Sequence, residues 1–157
     1  MQDRFKFRYV FTKDFGGKTG ICYKMPIFNL DTITDETFNK IVKGYTDYDY
    51  KLISIDQSTG LRDKNGKLIY EGDLLRYPPK DKDEETNFVV CEVFFHNNDC
   101  CDKHIGFQMN RFRFQGNLCG IINYDNKYNF IPENVGKMEV IGNIYENPEL
   151  LSEVKDE

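Results

Sequence analysis

No alanine occurs anywhere in this chain of 157 residues, whereas it carries 13 phenylalanines and 10 tyrosines. Alanine is the best helix former and aromatic residues favour pleated surfaces, so the chain is biased towards sheet before any pattern is read. Tryptophan is also absent, so Phe and Tyr must supply the large rings of any core. Hydrophobic residues make up 39% and charged residues 30%, a balance that builds a core where a disordered chain could not. The length suits one ordinary domain or two small ones and excludes a large modular enzyme.

The order of residues along the chain carries the same bias. Arg4 to Phe11 alternates, with Phe5, Phe7, Tyr9 and Phe11 in one phase and Arg4, Lys6 and Arg8 in the other. A half-buried strand follows, its rings towards a core and its cations towards water. Asp14 to Lys18 supplies turn residues, and Gly20 to Phe28 reads as the returning strand of a hairpin. One helix is predicted over Asp35 to Lys43, capped by Thr34, with Phe38, Ile41 and Val42 on one face and Gly44 as its stop. Tyr45 to Tyr50 reads as a Tyr- and Asp-rich connector, and Lys51 to Asp56 as a short strand. Asn65-Gly66, between flanks of strand length, is a hairpin turn. Strands are then expected over Leu74 to Tyr77, Phe88 to Phe95, Ile105 to Phe114, Leu118 to Tyr124 and Met138 to Ile144. Lys80 to Asn87 reads as a charged loop, and Asn129 to Asn134 could hold a helical turn. A tail helix over Glu149 to Lys155 is expected behind Asn147-Pro148.

The formal net charge of -5 argues against a protein that coats duplex DNA. Residues 1–25 nevertheless carry six Lys or Arg against two Asp, and residues 81–99 carry six acids against Lys82, so the charge is segregated. The first residues hold no apolar stretch of a secretory signal, and no run approaches the ~18 apolar residues of a membrane span. Five cysteines, an odd number, are expected to be free thiols in a cytoplasm, with no membrane partner.

Candidate chemistry is sparse. Cys91, His96, Cys100, Cys101, His104 and Cys119 fall within 29 residues, but only Cys101 and His104 stand at a favourable interval for a metal, and paired Cys-x-x-Cys ligands are missing. No metal or cofactor is expected. Ser54, Ser58 and Ser152 lie in no nucleophile elbow, and no phosphate-cradling glycine loop is present, so no catalytic residue is assigned. Arg4, Lys6 and Arg8, with Arg111 and Arg113, interleave cations with rings and are the candidates for contact with single-stranded nucleic acid. Alternation weakens that reading, because it sends rings and cations to opposite faces.

Two longer stretches are more specific. Gln57-Ser-Thr-Gly-Leu-Arg-Asp-Lys-Asn-Gly-Lys-Leu-Ile-Tyr-Glu-Gly-Asp-Leu-Leu-Arg-Tyr77 and Met138-Glu-Val-Ile-Gly-Asn-Ile-Tyr-Glu-Asn-Pro-Glu-Leu-Leu151 resemble the two signature elements of the YopX family, encoded by phages and prophages of bacteria. Arg4 to Arg8 is similar to that family's first strand. The resemblance implies a mainly β fold with an SH3-like small barrel in the C-terminal part, and no catalytic set. The motif positions Gly60, Asn65, Gly66, Tyr70, Gly72, Asp73, Gly142 and Asn143 read as structural, since glycine and Asn-Gly serve turns that larger residues cannot make.

The expectation is therefore a mainly β protein, with residues 1–56 as a β-hairpin and short-helix region and residues 57–157 as hairpin, SH3-like barrel and tail helix. Its expected role is non-enzymatic: a phage or prophage accessory protein in the host cytoplasm that binds a host or phage protein or a second copy of itself. The alternative is a nucleic-acid-binding small barrel.

Overall fold

The computed structural model describes residues 2–16, 20–30, 34–77, 89–97, 105–112 and 132–151. The fold is mainly β and divides into two compact units, Met1–Gly60 and Leu61–Glu157.

In the first unit, β1 (Lys6–Asp14) is the central strand. It pairs antiparallel with β4 (Lys51–Arg62) on one side and, end to end, with β2 (Ile21–Lys24) and β3 (Ile27–Asn29) on the other. The returning segment is thus two strands where one was expected. Pro26 has no N–H to give a ladder and breaks the segment, while its carbonyl still accepts the Tyr9 N–H at 2.9 Å.

The two phases of β1 separate as the alternation demands. Tyr9 meets the rings of Phe28 and Phe38 at 5.1 and 5.4 Å, and Phe11 stacks on Tyr45 at 4.3 Å. The opposite phase does not simply face water. Arg8, directly across from Asp56 in the β1–β4 register, is buried, and its Nε and Nη2 donate to Asp56 Oδ2 at 3.0 and 2.8 Å. Ser54 Oγ donates to the other carboxylate oxygen at 2.6 Å. A cation leaves water only with such a partner, and the pairing residue is 48 positions away.

The helix α1 (Asp35–Thr46) starts where expected, with Thr34 Oγ1 accepting the Thr37 N–H at 3.2 Å. It does not stop at Gly44. It runs to Thr46 and ends in a Schellman motif: the Tyr50 N–H reaches the Tyr45 carbonyl at 3.1 Å, the Asp49 N–H reaches Thr46, and Asp49 takes the left-handed conformation at φ 61°. The Tyr45 and Tyr50 rings, 6.0 Å apart, form the apolar contact that accompanies this cap.

The second unit holds an antiparallel sheet of four strands in the order β8-β7-β6-β9: β6 (Asp73–Tyr77), β7 (Val89–Asn97), β8 (Ile105–Phe112) and β9 (Glu139–Asn143). The short strand β5 (Leu68–Tyr70) follows the hairpin turn at the end of β4, and one helical turn, α2 (Pro132–Val135), precedes β9. Ile69, Leu75, Cys91, Val93, Met109, Val135 and Met138 form its core, so Cys91 is a small packing residue, as its apolar neighbours suggest. The strand expected over Leu118 to Tyr124 lies outside the described residues.

The first signature stretch from Leu61 onward and the whole of the second belong to this unit and bond to each other. Lys64 N–H donates to the Met138 carbonyl at 2.8 Å, and Val140 N–H to Asp63 Oδ2 at 3.0 Å. Gly72, at φ 78°, is held on both sides: its N–H reaches the Val93 carbonyl at 2.7 Å and its carbonyl accepts Ile144 N–H at 2.9 Å. Asn65-Gly66 lies in a turn closed by Gly66 N–H on the Asp63 carbonyl at 2.9 Å, with Gly66 at φ 80°. Beyond β9 the chain forms a 3₁₀ turn, Pro148–Leu151, and the rest of the expected tail helix lies outside the described residues. Asn147 does not cap it; its amide oxygen turns back to the Asn143 N–H at 3.4 Å.

A third tie between the signature stretches is ionic. Glu139 Oε2 sits 2.8 Å from Lys64 Nζ and 2.9 Å from Arg76 Nη2, and the hydrogen bonds to Lys64 and then Arg76 hold its carboxyl at about 2 against an ordinary 4.5. A carboxyl depressed in the folded state stabilises it above the ordinary value and ceases to do so as protons bind. Stability should therefore fall between about pH 4.5 and 2. Glu139→Gln is expected to reduce that slope, read as urea midpoints across the range, while leaving an ordinary two-state transition at neutral pH.

Candidate functional site

The first unit opens into a groove of about 560 Å³, a volume in the range of ligand sites. One wall is the edge segment, with Pro26 at the break between β2 and β3 and Phe28 beyond it. The other is α1, through Ile41 and Tyr45, and the Schellman turn adds Tyr48 and Tyr50. Gly44 lines it as well. A Cβ placed there would meet no atom within 4 Å, so this helix glycine is not imposed by packing and its missing side chain leaves the groove open. None of the helix residues is fully buried: α1 rests on the sheet through Phe38 and Tyr45 without closing over it.

The tyrosines are set by local chemistry. The cap fixes Tyr45 and Tyr50, and Lys13 of β1 anchors the turn between them, donating to the Tyr48 carbonyl at 2.7 Å and standing 5.9 Å from the centre of the Tyr50 ring. Tyr50 donates its hydroxyl to Cys22 Sγ at 3.9 Å. Burial first, then that hydrogen bond and the neighbouring Cys22 and Tyr45, push its phenol above the ordinary value, so it stays protonated at neutral pH. The hydroxyls of Tyr45 and Tyr48 have no hydrogen-bond partner among the described residues, and Lys24, the charged residue of the lining, has no ion-pair partner among them. Among the described residues the groove therefore offers aromatic faces, two phenolic donors and one cation without a protein partner.

The residues singled out from sequence lie elsewhere. Gly60, Gly66 and Gly72 all take positive φ. Asp73 Oδ2 accepts the Tyr70 N–H at 2.9 Å, bracing the turn into β6. Asn143 Oδ1 accepts the Tyr145 and Glu146 N–H groups at 3.0 and 2.9 Å, and a Cβ on Gly142 would collide with the Asn147 amide, 2.7 Å from its Cγ. These positions make turns and not a pocket. Of the cations, Lys6 pairs with Asp3 at 2.8 Å and Arg8 is consumed by Asp56. Arg4 lies in the 3₁₀ turn Gln2–Phe5 and not on the strand expected from Arg4 onward, and Arg111 stands opposite Cys91 in the β7–β8 register. Arg113, Cys101 and His104 lie outside the described residues. Among the described residues no three potential metal ligands gather, and no helix is long and apolar enough to cross a membrane. Sequence reading missed the groove because it took Tyr45 to Tyr50 for a connector; the tyrosine spacing 45, 48, 50 was the available signal.

Together these features define a mainly β protein of antiparallel sheets, one unit of which carries an aromatic groove and the other a hydrogen-bonded pair of signature segments. The chain belongs to the YopX family: that family's profile, described as YopX protein, matches residues 22–152, a span that includes every residue lining the groove. No curated protein matches it. Among solved structures it is similar to the crystal structure of protein EF1440 from Enterococcus faecalis, with 24% identity, 94% of this chain and 97% of that chain covered, and a TM-score of 0.40.

Proposed function

We propose that this protein is a non-enzymatic binding module that recognises a partner protein through the aromatic groove of its first unit. The observation that carries the reading is Gly44. Glycine inside a helix costs about 1 kcal/mol relative to alanine, and here no neighbouring atom requires it, so its use is to leave the groove open. Rings with a polar tip are the residues that protein-binding surfaces favour. The second unit acts as the scaffold of the module. Its antiparallel strands β6 to β9, with the Asp63 turn bonded to β9, support an SH3-like small barrel. A phage or prophage origin and a bacterial cytoplasm suit such an accessory module. The nucleic-acid reading loses support, since its buried Arg8 is already neutralised by Asp56.

Gly44→Leu tests this directly. Leucine is a strong helix former and would project into open space, so the variant should be as stable as the parent or up to about 1 kcal/mol more stable by thermal unfolding. It should also lose the binders that the parent enriches from a displayed random-peptide library. Enrichment of the same peptides by both proteins, or of none by the parent, would overturn the proposal.

A further inference from the structure

The groove's unused groups define a narrower ligand, on the reading that the groove is a peptide site. We infer that its occupant is a proline-rich segment in the polyproline II conformation, with an acidic side chain placed beside Lys24.

Three features lead there. Half of the lining is aromatic (Phe28, Tyr45, Tyr48 and Tyr50), and proline presents a flat, rigid apolar face to rings at little entropic cost because its backbone is already restricted. Among the described residues the hydroxyls of Tyr45 and Tyr48 have no protein partner, and that of Tyr48, on a residue 72% exposed, is open to a ligand. They can donate to a ligand in place of water, and a polyproline II backbone, which makes no internal hydrogen bonds, exposes its carbonyls to outside donors. A helical ligand would have spent its carbonyls internally. An added strand would need a continuous edge, but Pro26, which has no N–H, interrupts the β2–β3 edge. The third feature is charge. Lys24, unpaired among the described residues, favours a carboxylate on the ligand and disfavours the cationic ligands that tyrosine cages otherwise attract.

The test uses the full chain and fluorescein-labelled peptides, with binding followed by anisotropy. One peptide alternates proline pairs with glutamate; one replaces its prolines by alanine; one replaces its glutamates by glutamine. The first should bind tightest. Loss of the prolines should weaken binding by about tenfold or more. Tyr48→Phe, which removes only a hydroxyl, should weaken it by roughly 2- to 10-fold. Lys24→Gln should weaken the glutamate peptide by about 2- to 5-fold and leave the glutamine peptide unchanged.

Equal binding of the proline and alanine peptides would overturn the inference. So would a library that the parent enriches only in proline-free sequences, and in that case the binding-module reading survives. A library from which the parent enriches nothing removes both.

Discussion

Asp56→Ala is expected to destabilise the first unit by about 3–5 kcal/mol, because it leaves the Arg8 guanidinium buried without its counter-charge. The Arg8 side chain is 9% exposed and that of Asp56 2%, so neither can recover its hydration by moving. Arg8→Ala should cost a similar amount by stranding the carboxylate. The pair replaced together, Arg8→Met with Asp56→Leu, behaves differently. Both desolvation penalties vanish, and the double variant should lie between neutral and about 4 kcal/mol more stable. Against that stands roughly 1 kcal/mol for the Ser54 hydroxyl, which loses its acceptor. The measurement is a double-mutant cycle of denaturant unfolding, with hydrogen exchange of the β1 amides assigning the effect to this unit. Additive single and double effects would refute the pairing.

Asp63→Ala should have the second large effect, about 3 kcal/mol on the second unit. Its Oδ1 accepts the Asn65 and Lys67 N–H groups, each at 2.8 Å, and its Oδ2 accepts Val140 N–H at 3.0 Å. Each buried donor left without an acceptor costs about 1–3 kcal/mol, and partial access to water at the turn keeps the total below the full sum. Asp63→Asn is the informative second variant. It keeps an oxygen for the turn but presents an NH₂ to the Val140 N–H, so it should cost about half as much and act mainly on β9. Burial pushes the Asp63 carboxyl up, but the bonds from Val140, Lys67 and Asn65 and the Lys67 charge outweigh it, and the net shift is below the ordinary 3.8. Its contribution is therefore complete above that value and is lost as pH falls through the folded pKa. Removing both Asp63 and Glu139 carboxylates should flatten most of the acid limb of the second unit's stability, and an unchanged acid limb would show that these bonds do not hold the signature segments together.

Much of the local structure was readable from residue order. The alternation of Arg4 to Phe11 identifies a strand from Lys6 onward and the phase of its rings, since side chains on a strand alternate whatever the fold. Arg4 and Phe5 instead lie in a 3₁₀ turn, and the Arg8 phase, with Val10, is buried and does not face water. Thr34 was recognised as a cap because its hydroxyl needs only an N–H three residues on. The end of the same helix is not set locally. Gly44 is a reasonable stop by local propensity, but the Schellman closure at Asp49, the Tyr45–Tyr50 contact and the anchor from Lys13 carry the helix one further turn fragment to Thr46. Similarly, Pro26 could be seen to lack a donor, yet only its place against Tyr9 shows where the returning strand divides.

The candidate site was less legible than the fold, for a physical reason. A groove is a gap between elements, and its walls here come from residues 24–28 and 41–50, with β1 between them in space and not in sequence. The cation at Arg8 shows the same limit from the other side: period two places it opposite the rings, but burial depends on Asp56.

By itself, the sequence determined what depends on nearest neighbours: a sheet-rich chain without alanine, the phase of β1, the cap at Thr34 and the glycine turns at 60, 66 and 72. The tertiary structure decided what depends on distant partners: the burial of Arg8, the length of α1, the joining of two signature stretches through Asp63 and Glu139, and the opening over Gly44. Local sterics act within a few residues, whereas burial and pairing are set by whichever strands the chain brings alongside.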